Sequence, residues 1–247
     1  MLAVPTRRDE TWHYSNLEAV ASVWPVQTEV IDVPAGTSIA RVIVQDAATD
    51  TVAIRDYRVI LREGATANFH VLNTGGSFGR IAIDVTCHSG SHFELGGAML
   101  GTGEQTLEIV TTLNHIEPNA TSNQVVRTVL GGRATGSYLG KVAVARHAQK
   151  TDASQSVKAM LLSRTATANA KPELEIYADD VKCAHGATVG ELDARALFYM
   201  ESRGIPKSRA QALLTTAFVA DALDRIGDET VRDAFAADAE AWLGQAL

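Results

Sequence analysis

Between about Val33 and Val181 the chain alternates apolar and polar residues in short runs: ARVIV, TVAIRDYRVIL, ANFHVL, RIAIDVTC, TLEIVTTL, NQVVRTVL, KVAVA, VKAMLL and ELEIYA. Alternation with a period of two places one apolar face on each run, which predicts many short half-buried β-strands. The separators resemble one another: EGATAN, HSGSHF, PNATSN, GRATGS, KTDASQ, TATANA and HGATVG. Each joins small residues to Asn, Ser or Thr, which tolerate tight turns and hydrogen-bond to their own backbone. From Ala120 onward, corresponding points recur every 14–20 residues or so, and every second one at roughly 30–35, a spacing typical of solenoids. No stretch here has a helical period long enough for βαβ crossovers, which argues against a doubly wound sheet. A β-sandwich has overlapping turn spacing, but a β-helix accounts better for the repeated separators and small inward residues.

After Gly190 the period becomes helical. ELDARALFYMESRG places Leu192, Ala196, Leu197 and Met200 on one stripe, with Gly204 as a stop. Pro206 suits a first helical position, and KSRAQALLTTAFVADALDRIG carries Ala210, Leu213, Leu214, Ala217, Phe218 and Ile226. A third helix opens at Asp228 and bears Val231, Phe235, Trp242 and Leu243. The N-terminal segment is short and polar, with Trp12, Tyr14, Trp24 and Pro25 suited to docking against a core. The expected organisation is an N-terminal arm (1–32), a parallel β-helix core (33–189) and a C-terminal helical domain (190–247). In this reading PELEIYA is the last turn of the solenoid and GATVGELD the exit into the helices.

Composition narrows the function. Aromatic residues are only 6% of the 247, which suits thin stacked layers better than a core of large rings. A net charge of −7 leaves no electrostatic footprint for nucleic acid. No run approaches the ~18 apolar residues of a membrane span, and charges fall where a signal peptide would be apolar. Two cysteines far apart, Cys87 and Cys183, suggest no disulfide framework and point to a reducing cytosol. GSYLGKV (Gly136–Val142) is one residue short of a P-loop, has Val where a metal-binding Ser or Thr is needed, and starts a strand. ATP hydrolysis by this chain is not expected.

Two clusters carry reactive side chains. CHSGSH offers Cys87, His88 and His92 as ligands for iron or zinc, but in a spacing that matches no closed site. The other is KPELEIYADDVKCAHGATVG, Lys171–Gly190. If VKCAH is extended, Cys183 and His185 project side by side. An imidazolium beside a thiolate stabilises it and makes it nucleophilic and ligating. Two ligands are too few for a closed metal site, so the rest would come from a partner chain, a bound sulfur species or neighbouring turns.

The same stretch, continued as ELDARALFYMESRGI, resembles the C-terminal signature of the SufB/SufD family, scaffold proteins of the Suf iron–sulfur cluster assembly system. HIEPNATSNQVVRTVLGG, GKVAVARHAQKTDASQSVKAMLLS and, more weakly, PTRRDETWHYSNL extend the likeness. CAHGAT stands where the SufB branch tends to carry a HEAT-type sequence, which favours the SufD branch. Longer members have an N-terminal helical region that has no counterpart here. The resemblance implies a right-handed parallel β-helix with a C-terminal α-helical domain. It also implies a non-ATPase scaffold that pairs with SufB through the β-helices and binds the ATPase SufC through the helices. Within it, His185 of the C-x-H motif, with Cys183 beside it, would help build a transient iron or Fe–S cluster at the SufB interface, with no permanently bound cofactor. The expected SufC anchors are Phe198, Tyr199, Arg203, Leu213 and Phe218, since aromatics and Arg dominate interface energetics. In isolation an exposed sheet edge would favour a homodimer. The competing readings are a stand-alone β-helix with its own metal site at Cys87, His88 and His92, and a carbohydrate-active enzyme, which would call for paired carboxylates.

Overall fold

The computed structural model describes residues 3–224 and 226–246; Met1 and Leu2 of the expected arm, together with Arg225 and Leu247, lie outside the described residues. Twelve strands follow one another: β1 (Thr28–Val33), β2 (Ser38–Gln45), β3 (Val52–Leu61), β4 (Thr66–Asn73), β5 (Phe78–Cys87), β6 (His92–Gly101), β7 (Thr106–His115), β8 (Thr121–Leu130), β9 (Thr135–Val144), β10 (Asp152–Leu161), β11 (Thr167–Ile176) and β12 (Lys182–Glu191). Helix α1 (Leu17–Val23) precedes them, and α2 (Ala194–Ser202), α3 (Lys207–Leu223) and α4 (Glu229–Ala246) follow.

Odd strands form one six-stranded parallel sheet and even strands a second, so the chain winds as a β-solenoid of about six coils. Val52 pairs with Phe78, 26 positions on, and Thr135 with Thr167, 32 positions on; these bracket the length of a coil. Equivalent residues therefore stack. Val59, Val85, Leu113 and Val142 form one buried column, Phe69 and Leu95 stand in another, and the Phe69 ring lies 5.6 Å from Phe93, two positions off its register partner. The alternation read from the sequence is this inward–outward alternation.

The separators stack as well. Gly36, Gly64, Gly90, Asn119 and Lys150 all adopt left-handed backbone. Each donates its N–H to a carbonyl of the next turn: Glu63, Ser89, Pro118, Gln149 and Asp180 respectively. The residue with positive φ orients this donor, which explains why Gly or Asn recurs there. HGATVG departs from this pattern. It lies inside β12, whose residues Gly186, Ala187 and Gly190 pair with Ser156, Val157 and Met160, so the solenoid continues to Glu191 instead of leaving at Gly186. HSGSHF in turn runs into β6, a full strand absent from the alternating runs.

The arm crosses the outer face of the odd sheet. Trp12 stacks edge-on against Trp24 at 5.9 Å, and the Arg80 guanidinium lies 3.8 Å from the Trp12 ring centroid. Arg80 and Glu108 form a buried ion pair beneath it, with Ser15 donating to Glu108 at 2.8 Å. The C-terminal helices cover the outer face of the even sheet, where Leu72, Ala98, Leu100 and Val129 meet Val219, Leu223, Ile226, Phe235, Ala239 and Leu243. Arg127, almost fully buried, fastens α3 by donating from Nε to Asp221 at 2.9 Å. Two helix starts differ in detail from the sequence reading. Leu192 precedes α2, whose N-cap is Asp193 accepting from the Arg195 N–H, and Pro206 is the N-cap of α3 because its backbone is extended.

Candidate functional site

The C-terminal end of the solenoid is uncovered. β11 and β12 close their sheets, each with a single neighbour among the described residues. Positions that are buried on β10 become exposed on β12, or half-buried at Cys183, because no further coil covers them. On β10 the inward residues are Ala153, Gln155, Val157 and Ala159; the register places Cys183, His185, Ala187 and Val189 above them. Cys183 and His185 therefore share one face, and that face is the open mouth of the last coil. Cys183 is half-buried against the core, whereas His185 is exposed.

The electrostatics of the pair differ from the activated thiolate suggested by their spacing. Burial pushes the Cys183 thiol up, Asp152 adds to this, and a backbone hydrogen bond at Ala153 only partly opposes it. No hydrogen bond or ion pair joins Cys183 to His185 among the described residues. A neutral thiol beside an accessible imidazole offers one borderline nitrogen ligand and one latent sulfur ligand. That is half of a tetrahedral set.

Below this mouth the interior becomes polar. Tyr138 Oη donates to Gln124 Oε1 at 3.1 Å, lies 3.2 Å from Thr111 Oγ1 and receives Gln155 Nε2 at 3.4 Å. His115 Nε2 meets Ser122 Oγ at 3.0 Å, and burial pushes His115 down to about 4. Sequence reading passed over Gln124, Tyr138 and Gln155, since each lies in a different strand and only the coil register brings them together.

Cys87, His88 and His92 do not converge. Cys87 faces the core, where burial raises its thiol to about 12. His88 turns to Glu117 at 3.1 Å, and His92 to Thr121 at 2.7 Å on the outer face of β6. No group of three His, Cys, Asp or Glu side chains arranged to hold a metal occurs among the described residues. The three residues straddle a turn, and strand-end, turn and strand-start side chains point different ways, so this candidate metal site is not formed. GSYLGKV sits inside β9, with no helix start to cradle a phosphate.

Of the expected helical anchors, Phe198 and Tyr199 are exposed, at 72% and 59%, as are Arg203 and Leu213. Arg203 lies 5.2 Å from the Tyr199 ring centroid. Phe218 is instead half-buried against the helix–sheet cluster. Helix α2 has no buried residue, so its aromatic side chains are left to solvent.

Residues 14–218 match the family model described as SUF system FeS cluster assembly, SufBD core domain. The chain belongs to the SufBD family. The iron–sulfur cluster assembly protein SufD of Escherichia coli is 33% identical over 175 residues, covering 70% of this chain and 41% of that protein. The chloroplastic protein ABCI7 of Arabidopsis thaliana is 32% identical over 179 residues, 70% of this chain and 37% of its own length. A SufBD family protein of Synechocystis is 40% identical over 124 residues, 50% of this chain and 27% of its own. The SufBD-family chain thus spans less than half the length of these curated relatives. None of its described helices is long and apolar enough to cross a membrane.

Proposed function

We propose that this SufBD-family chain is a non-ATPase scaffold subunit for Fe–S cluster assembly, acting in the reducing cytosol. The observation that carries the reading is the placement of Cys183 and His185 on the inward face of the last coil, which no further coil covers. A site with half a ligand set at an open solenoid end is completed by whatever seals that end. In this reading the seal is SufB, pairing β-helix to β-helix, and iron is the cargo held between the two. His185 supplies the imidazole, and Cys183 becomes a ligand once a metal displaces its proton. The exposed α2 aromatics Phe198 and Tyr199, with Arg203 and Leu213, dock the ATPase SufC. Without SufB, the unpaired edges of β11 and β12 favour a homodimer.

The test is co-expression of the chain with SufB and SufC, followed by assay of the purified complex for iron and acid-labile sulfide. The complex is expected to form and to carry both. His185→Ala is expected to leave assembly of the subunits intact and lower iron content at least several-fold, with Cys183→Ser showing a smaller loss. A chain that stays apart from both partners, or equal iron in His185→Ala and the parent, overturns the reading.

A further inference from the structure

A histidine that binds metal through one ring nitrogen needs the other nitrogen's proton held by an acceptor, which fixes the tautomer and aims the lone pair. His185 sits at the mouth with no hydrogen-bond partner among the described residues. One rung below, and paired with it in register, is Gln155. That side chain is 3% exposed, and its carbonyl Oε1 is buried without a partner.

The orientation of the amide follows from the network beneath it. The single phenolic proton of Tyr138 goes to Gln124 Oε1. Facing Gln155, the Tyr138 oxygen can therefore only accept, and it accepts from Nε2. The Gln155 carbonyl is thereby turned away from Tyr138. A buried acceptor without a donor and an in-register donor without an acceptor then occupy adjacent rungs.

We propose that Gln155 is a positioning residue for His185: its Oε1 accepts the proton of one imidazole nitrogen, leaving the other as a lone-pair donor directed out of the mouth. Thr111, Tyr138 and Gln124 hold Gln155 in this orientation from below. The inference rests on the reading of His185 as the iron ligand, but its test separates the two.

The experiment uses the full chain labelled with nitrogen-15 at histidine, with the tautomer of His185 read from long-range proton–nitrogen NMR and its signals assigned by their loss in His185→Gln. The parent is expected to show one tautomer. Gln155→Leu is expected to give the two-tautomer mixture of a water-exposed imidazole, and Gln155→Glu, which keeps an acceptor, to restore one tautomer. Should Gln155→Leu fail to fold, Gln155→Asn keeps the interior polar but withdraws the oxygen by one methylene, and the same mixture is expected. An unchanged tautomer ratio in a folded variant overturns the proposal, whatever the iron content. In the co-expressed complex, Gln155→Leu is expected to lower iron content several-fold and Gln155→Glu to recover it. If Gln155 sets the tautomer while His185→Ala leaves iron unchanged, the function falls and the positioning stands.

Discussion

Within one strand, a period of two was enough to place Cys183 and His185 side by side. What stood beneath them was illegible, because Gln155 is a full coil away in sequence and carries no motif of its own. The same holds for His115, a plain strand histidine in the sequence that the structure places in the interior against Ser122. Burial holds it neutral, with its titration lowered from an ordinary 6.5 to about 4. The unfolded chain therefore binds the proton more readily, so the stabilising contribution is present above about pH 6.5 and lost as pH falls toward 4. His70, buried between β4 and α3, is shifted the same way by desolvation, although Glu94 opposes it. Urea unfolding at pH 7 and pH 5 is expected to show a loss of about 2 kcal/mol attributable to His115. His115→Gln is expected to shrink that difference, and an unaltered pH dependence would show that His115 is not its source.

At the scale of elements, alternation read most of the strands and the helical stripes read the three C-terminal helices. It left β1 in the expected arm, although Thr28–Val33 pairs with β3 as the first strand of the odd sheet, and it missed β6, HFELGGAMLG, because two adjacent glycines interrupt the pattern. The structure gives each glycine a separate reason. A Cβ on Gly96 would lie 2.4 Å from the Ala222 carbonyl oxygen, so this glycine admits the C-terminal end of α3 onto the sheet. A Cβ on Gly97 would face inward and meet only the side chains of Ile109 and Val126 at 3.4 Å. Gly96→Ala is accordingly expected to push α3 off the sheet at a cost of about 1–3 kcal/mol. Hydrogen exchange should show α3 and α4 losing protection while the strands keep theirs. Gly97→Ala should change stability by less than about 1 kcal/mol. Equal effects of the two substitutions would refute this account of the helix docking. HGATVG was misread for a related reason: small residues signal a turn in a sequence, yet in β12 they are the short side chains of a terminal rung.

Over the whole molecule, the coil was legible from the recurrence of the separators, whereas the openness of its last coil was not. That depends on where the arm and the helices pack, and both cover sheet faces, leaving the mouth at β11 and β12 free. Val189 lies on its inward column and is 49% exposed. Val189→Glu is expected to change the stability of the isolated chain by no more than about 0.5 kcal/mol and to abolish co-purification with SufB. Retained co-purification would place the pairing surface elsewhere.

The ladder of left-handed turns has a further consequence for how such a chain can change length. Each turn bonds only to its neighbour, so apart from the arm and the C-terminal helices the solenoid behaves as a one-dimensional stack of coils held by adjacent coils. Removing residues 66–91 would bring His92 to the place of Thr66, its register partner, and every later strand would keep its facing. Removing one residue from within a strand would instead turn the rest of that strand inside out, whereas the turns absorb such differences between coils. Viable insertions and deletions in this molecule are therefore either whole coils or changes confined to the turns, where coils already differ in length from 26 to 32 residues.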